Sequence, residues 1–336
     1  MMLPAYLALV VALFWVCLVA SRASITFLNR RGLIAISGAR SSHKGAVPQG
    51  AGIAFVPPLA AAILLMALIN DSGSFWLIVV VATAVLAAVS FVDDIREVSV
   101  SLRLSVHFAT AIALASLIDG PYVPTFFLLS ETTGRAVLVI CMVAWINLYN
   151  FMDGIDGITV VQTVTIALSA AALLIGVAGH GLSLTVMVAG FIGTAALAFA
   201  FVNWHPARAF MGDIGAVALA VLTGGLYLAA QRDVSIILLA IPALFYLLDG
   251  ISTLVMRIVR REPFWRAHRS HAYQVYVARG HGHDRACAIL IALNVVLLAI
   301  ALIPADVSHW TRLALAVTCT CGVLIYFRTA RALQSG

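Results

Sequence analysis

From Leu3 to Ala20 the chain carries no charged side chain, and apolar stretches of similar length recur as far as residue 327. About 20 helical residues cross a hydrocarbon core, so such stretches read as transmembrane segments. Alternating apolar and polar positions are absent, and a backbone in lipid must satisfy its own hydrogen bonds, so the spans are read as helices. Eleven are predicted, over 3–20, 51–69, 75–92, 104–118, 135–149, 159–178, 182–202, 214–230, 234–256, 286–304 and 310–327. Composition agrees, because 63% of residues are apolar or aromatic and only 10% are charged, too few to clothe a water-soluble surface. The fold class is therefore all-α, a polytopic transmembrane bundle forming one integral-membrane domain over 1–336, with a long loop at 257–285.

Of 20 basic residues, all but Arg135, Arg232 and Arg312 fall in the loops after odd-numbered spans or in the C-terminal tail. By the positive-inside rule these loops are cytoplasmic, which places the N-terminus outside and the C-terminus inside. The first span has no basic residue ahead of it and runs into Arg22, which fits a transmembrane helix better than a cleaved signal. Cys17, Cys141, Cys287, Cys319 and Cys321 form no C-x-x-C pair and read as packing residues.

The acidic residues carry more information. Asp93, Asp94, Asp153, Asp156 and Asp213 all fall at predicted cytoplasmic ends of spans, where carboxylates do nothing for insertion. Asp93 and Asp94 close the third span, and adjacent carboxylates at a helix end suit a divalent cation or a base held beside one. The run from Asn147 to Gly157 places polar residues at 147, 150, 153 and 156 among Trp145, Leu148, Phe151 and Met152. Such residues are costly in lipid unless they face a polar cavity, while Gly154 and Gly157 either admit a close ligand or end the helix. Gly212-Asp213-Ile214-Gly215 opens the eighth span, where free backbone N–H groups suit phosphate oxygens. In the long loop, His268, Arg269 and His271 read as a donor-rich clamp for anions. Asp249, within the ninth span, is either a functional carboxylate or a tie between helices.

Carboxylates for Mg²⁺, glycines and an Arg/His clamp on one membrane face describe a site for a pyrophosphate substrate. A transporter would place its charges near the midplane and repeat its pattern in two halves, and no internal repeat is visible.

These motifs, with Arg40-Ser41-Ser42-His43 and Pro48-Gln49-Gly50-Ala51-Gly52, resemble the polyprenyl-phosphate N-acetylhexosamine-1-phosphate transferases. The form His268-Arg269-Ser270-His271-Ala272-Tyr273-Gln274 is similar to the branch that primes O-antigen and other surface polysaccharides. The resemblance implies transfer of a sugar-1-phosphate from a UDP-N-acetylhexosamine to undecaprenyl phosphate at the cytoplasmic face of a bacterial inner membrane. Mg²⁺, with Mn²⁺ as a substitute, is implied on Asp213 with help from Asn150. Phe210 is implied at uracil, Gly154 and Asp156 near the nucleoside, and Asp93 and Asp94 near the lipid phosphate. The same resemblance places His268, Arg269 and His271 near the donor pyrophosphate. Asp153 joins the catalytic carboxylates, and Asn147 joins the substrate-binding set. Where the branch has an arginine this chain has Gln49, and Lys44 is the candidate for the lost charge. The bilayer is the implied surrounding, a homodimer is compatible, and no nucleic acid is implied. The alternatives are the peptidoglycan phospho-muramoyl-pentapeptide transferase and, in another class, a lipid-intermediate flippase.

Overall fold

A computed structural model describes residues 2–35, 47–70, 73–96, 98–118, 130–263 and 268–332. Its helices are α1 (Met2–Arg31), α2 (Gly52–Leu68), α3 (Ser74–Ile95), α4 (Val100–Ala115), α5 (Glu131–Met152), α6 (Ile158–Gly176) and α7 (Leu184–Asn203). There follow α8 (Gly212–Ala230), α9 (Ile236–Ala240), α10 (Leu244–Val259), α11 (Ala272–Ala278), α12 (His283–Ala301) and α13 (His309–Thr329). Among the described residues, nine stretches are long and apolar enough to span a membrane, and α2 and α4 are shorter apolar helices. Together these match the eleven expected spans, and the chain is a polytopic transmembrane helical bundle.

Two boundaries differ from expectation for physical reasons. Helix α1 continues to Arg31, beyond the apolar stretch, because nothing between Arg22 and Arg31 breaks a helix. The ninth span is interrupted, since Pro242 cannot donate to the helical ladder and a 3-10 turn over Ile241–Ala243 joins α9 to α10. The Gln162 amide of α6 donates to the Pro242 carbonyl at 2.7 Å and satisfies an acceptor at that break.

Helix α8 is the centre of the bundle, with all but three of its 19 residues buried. Its length corresponds to about 28 Å, enough to cross a hydrocarbon core. Small residues let its neighbours close in: a Cβ at Gly225 would lie 3.0 Å from Val79 Cγ1 of α3, and one at Gly224 would lie 2.8 Å from Met142 Cε of α5. The Trp145 indole of α5 donates to the Ala220 carbonyl at 3.1 Å. Helix α1 lies at the periphery, where Leu7, Val11, Trp15 and Val19 are exposed as a lipid-facing surface requires.

A two-residue antiparallel ladder pairs Ile34 with Pro48 and Ala35 with Val47. It leads into a second clip, in which Phe210 N–H donates to the Pro48 carbonyl at 2.8 Å while Ala51 and Gly52 N–H donate to the carbonyls of Phe210 and Met211. The start of α2 is thereby fastened to the start of α8.

Candidate active site

The clip sets a cluster of carboxylates. Gly212 adopts φ +68°, and a Cβ there would lie 2.7 Å from Asp94 Oδ2 and 2.9 Å from the Gly50 backbone, so only glycine fits. Asp94, in the last turn of α3, thus abuts the N-terminus of α8, beside the backbone N–H groups of Asp213 and Ile214. The partial positive charge of that helix end favours a carboxylate there. Gln49 Nε2 donates to Asp94 Oδ1 at 3.2 Å, so the residue that replaces the family arginine supplies a neutral donor. The second oxygen, Asp94 Oδ2, is buried and has no hydrogen-bond partner.

Asp93 is tied down. Its Oδ2 lies 2.6 Å from the Arg103 guanidinium of α4 and its Oδ1 accepts from Val98 N–H at 2.8 Å. Arg103 also reaches to 3.9 Å from Asp213 Oδ2. One turn on, His107 Nδ1 lies 3.2 Å from Asn147 Nδ2, which also donates to the Val143 carbonyl at 2.7 Å. Sequence reasoning read Arg103 only as a topology signal and passed over His107; their i, i+4 spacing at the start of a span was the available clue.

Helix α5 ends at Met152, so the three-residue polar step stays on a helix for Asn147 and Asn150 alone. Asp153 is the C-cap residue and is half-buried. Lost hydration, together with the nearby charges of Asp213 and Asp156, pushes its carboxyl up to about 7 against a hydrogen bond from Thr159. Gly154 is required by the long loop. A Cβ there would lie 2.5 Å from Gln274 Nε2 and 2.6 Å from the Tyr273 hydroxyl, which donates to the Met152 carbonyl at 2.9 Å. The helix that follows the histidine motif is therefore docked on the end of α5.

That docking is anchored from behind by Asp249. The carboxylate is fully buried, accepts from Ala272 N–H at 2.9 and 3.1 Å, and lies 3.3 Å from Arg328 of α13. Thr253 donates to it at 3.3 Å and His271 Nδ1 lies 3.6 Å away. Asp249 thus ties α10, α11 and α13 together, and its arginine is the distant Arg328 rather than Arg257, which pairs with Glu262 at 2.8 Å. The histidine motif divides accordingly. His271 turns inward and is 4% exposed, whereas Arg269 is exposed. Lost hydration, then His271 and Arg257, push the His268 imidazole down to about 4, so it is neutral at pH 7.

Asp156 stands in its own surroundings. Its Oδ2 lies 2.6 Å from His205 Nδ1, accepts from Ala207 N–H at 3.1 Å and lies 3.3 Å from His283 Nδ1. Neither histidine was singled out from sequence. Phe210, a member of the clip, is half-buried. Lys44 lies outside the described residues.

Asp213 lies within electrostatic reach of both Asp94 and Asp153, and carboxylate oxygens are the ligands a hard divalent cation takes. The buried Asp94 Oδ2, without a hydrogen-bond partner and close to Asp213, is an oxygen that such an ion would neutralise, so these carboxylates fit Mg²⁺.

A chain with this bundle and carboxylate end is of a recognised class. The sequence profile described as Glycosyl transferase family 4 matches residues 76–231, which contain most of α3, all of α4 to α8 and every carboxylate named above except Asp249 and Glu262. The chain is 22% identical over 284 residues to a probable undecaprenyl-phosphate N-acetylglucosaminyl 1-phosphate transferase of Bacillus subtilis, covering 82% of this chain and 78% of that one. It is 28% identical over 260 residues to a phospho-N-acetylmuramoyl-pentapeptide-transferase of Symbiobacterium thermophilum, covering 70% and 76% respectively. A protein of the same name from Granulibacter bethesdensis is 37% identical over 133 residues, 35% of this chain and 34% of that one. The profile match and these relatives support placing the chain in glycosyl transferase family 4.

Proposed function

We propose that this protein transfers a sugar-1-phosphate from a UDP-N-acetylhexosamine to undecaprenyl phosphate, releasing UMP and priming O-antigen or another surface polysaccharide. The observation that carries the reading is the convergence of Asp94, Asp153, Asp213 and Asn150 at one end of the bundle, next to Arg103 and the docked histidine loop. The family match and relatives named for undecaprenyl-phosphate and phospho-muramoyl transfer support it. The same end gathers the C-termini of α3, α5 and α7 with the N-termini of α4, α8 and α12, and the distribution of arginines supports a cytoplasmic site in a bacterial inner-membrane protein.

A lipid phosphate oxygen attacks the sugar-bearing phosphorus of the donor. A phosphorus–oxygen bond forms to the lipid phosphate, the anhydride to the α-phosphorus breaks, and UMP leaves with the bridging oxygen. One phosphoanhydride replaces another, so the chain's task is to align two anions and to balance their charge. Mg²⁺ held by Asp213 with Asn150 would neutralise phosphate charge. Asp93, with both oxygens engaged, positions Arg103. Asp94 keeps a free oxygen and is the better placed base for a protonated lipid phosphate. Asn147 borders the acceptor side through His107, while Gly154, Asp156 and Phe210 line the nucleoside side. Arg269 and Lys44 are the cations for the pyrophosphate, with His268 as a neutral partner and His271 behind them.

Gly154→Ala is expected to displace α11 and lower turnover by about 10²-fold, as a misplacement near 1 Å does, while circular dichroism stays unchanged. Unaltered turnover would separate the loop from the chemistry. The reading itself is tested by UMP release from purified protein given undecaprenyl phosphate, Mg²⁺ and a panel of UDP-N-acetylhexosamines. Release that requires the lipid supports it. Turnover only with the peptide-bearing UDP-muramoyl donor would favour the peptidoglycan enzyme, and vectorial movement of lipid without UMP would favour a flippase.

A further inference from the structure

Asp156, His205 and His283 come from three separate segments: the turn after α5, the loop after α7 and the first residue of α12. They nevertheless bring one carboxylate oxygen and two ring nitrogens within 4.8 Å of one another. The oxygen lies 2.6 Å from His205 Nδ1 and 3.3 Å from His283 Nδ1, and the two rings are 4.7 Å apart.

The hydrogen bonds make this meeting unusual. Asp156 N–H donates to His283 Nδ1 at 3.2 Å, which gives that nitrogen a lone pair, yet the same nitrogen lies 3.3 Å from the Asp156 carboxylate. An acceptor facing a carboxylate is repulsive where water is scarce, and the two side chains are 6% and 0% exposed. A cation shared by the three donors turns that contact into coordination.

Ligand type selects the ion. Two imidazoles and one carboxylate suit Zn²⁺ or Co²⁺, whereas Mg²⁺ prefers oxygen throughout. Tetrahedral Zn²⁺ with bonds near 2.0–2.1 Å has donors about 3.3 Å apart. One pair already has that spacing, and the His205 pair opens when its bridging proton is lost. His205, with its side chain 38% exposed, gives the ion a route in and leaves room for water as a further ligand.

We propose that Asp156, His205 and His283 form a transition-metal site, separate from the all-oxygen cluster at Asp94 and Asp213. An ion there joins the turn after α5 to the loop that leads through Phe210 into α8. Asp156 would then act at the nucleoside side through the ion it holds, and metal binding itself can be measured without the proposed reaction.

The test is Co²⁺ titration of tag-free protein in detergent, followed by visible absorption and by metal content after desalting. The wild type is expected to bind one Co²⁺ with ligand-field bands that Zn²⁺ abolishes and excess Mg²⁺ does not. His205→Ala, a substitution in an exposed loop that should leave elution monodisperse, is expected to weaken binding at least tenfold. Asp213→Asn and the distant His180→Ala should leave it unchanged. Absence of bands in the wild type, bands indifferent to His205→Ala, or bands lost in Asp213→Asn would each overturn the assignment. Failure of the UMP assay would leave this result untouched, so the two claims are separable.

Discussion

Asp213→Asn is expected to lower the rate of UMP release by about 10²–10³-fold, the loss typical when one group that stabilises developing charge is removed. The substitution keeps the side chain's size and leaves Gly212, whose φ of +68° makes the close turn against Asp94, untouched. Folding should therefore be preserved while the oxygen donor for the cation is weakened. Asp94→Asn is expected to behave similarly, because its unpartnered oxygen is replaced by a group that cannot accept a proton from the lipid phosphate. Both are checked by turnover at saturating donor and lipid, with gel-filtration profiles as the control for folding. An Asp213→Asn protein that keeps more than a tenth of wild-type turnover would remove Asp213 from the centre of the site.

The largest effect on stability is expected at Asp249. Asp249→Ala strips the partly buried Arg328 of its carboxylate and leaves the buried Ala272 N–H without its acceptor. Removing one member of a buried ion pair costs about 3–5 kcal/mol, chiefly because the remaining charge stays desolvated. Reversible unfolding by SDS in mixed micelles measures this. Adding Arg328→Met to Asp249→Ala should recover part of the loss, and the double-mutant cycle should give a coupling of at least about 1 kcal/mol. Additive effects would mean that the two residues do not act as a pair. Because α11 is docked on Gly154 through Tyr273 and Gln274, the same variant should also lose turnover in the fraction that remains folded.

The spans were legible in the sequence because lipid imposes one demand, a long apolar helix, and every candidate from 3–20 to 310–327 meets a helix in the structure. What hydropathy reports is contact with lipid rather than where a helix stops, so the continuation of α1 to Arg31 was not visible. Pro242 was visible, but the amide that satisfies its carbonyl at the break, that of Gln162, is 80 residues away in the sequence. The acidic clusters could be read as unusual because their cost in lipid is a local property. Their partners could not. Asp156 meets His205 across 49 residues and His283 Nδ1 across 127, and Asp249 meets Arg328 across 79. Two readings of Asp249 were open, and its contacts with Ala272 N–H and Arg328 show it tying helices together. The histidine motif was read as a single clamp, yet the fold turns His271 inward and leaves Arg269 outside, a division that adjacent residues in a sequence do not announce.

In the proposed reaction a phosphorus atom moves from donor to lipid. The most direct test supplies the purified protein with undecaprenyl phosphate and a UDP-N-acetylhexosamine radiolabelled in its β-phosphate, and follows the label into the organic phase. The label is expected to enter the lipid fraction with the sugar, one equivalent per UMP released, and Asp213→Asn is expected to slow both alike. Label that stays in the aqueous phase, with folded protein and every donor tried, would contradict it.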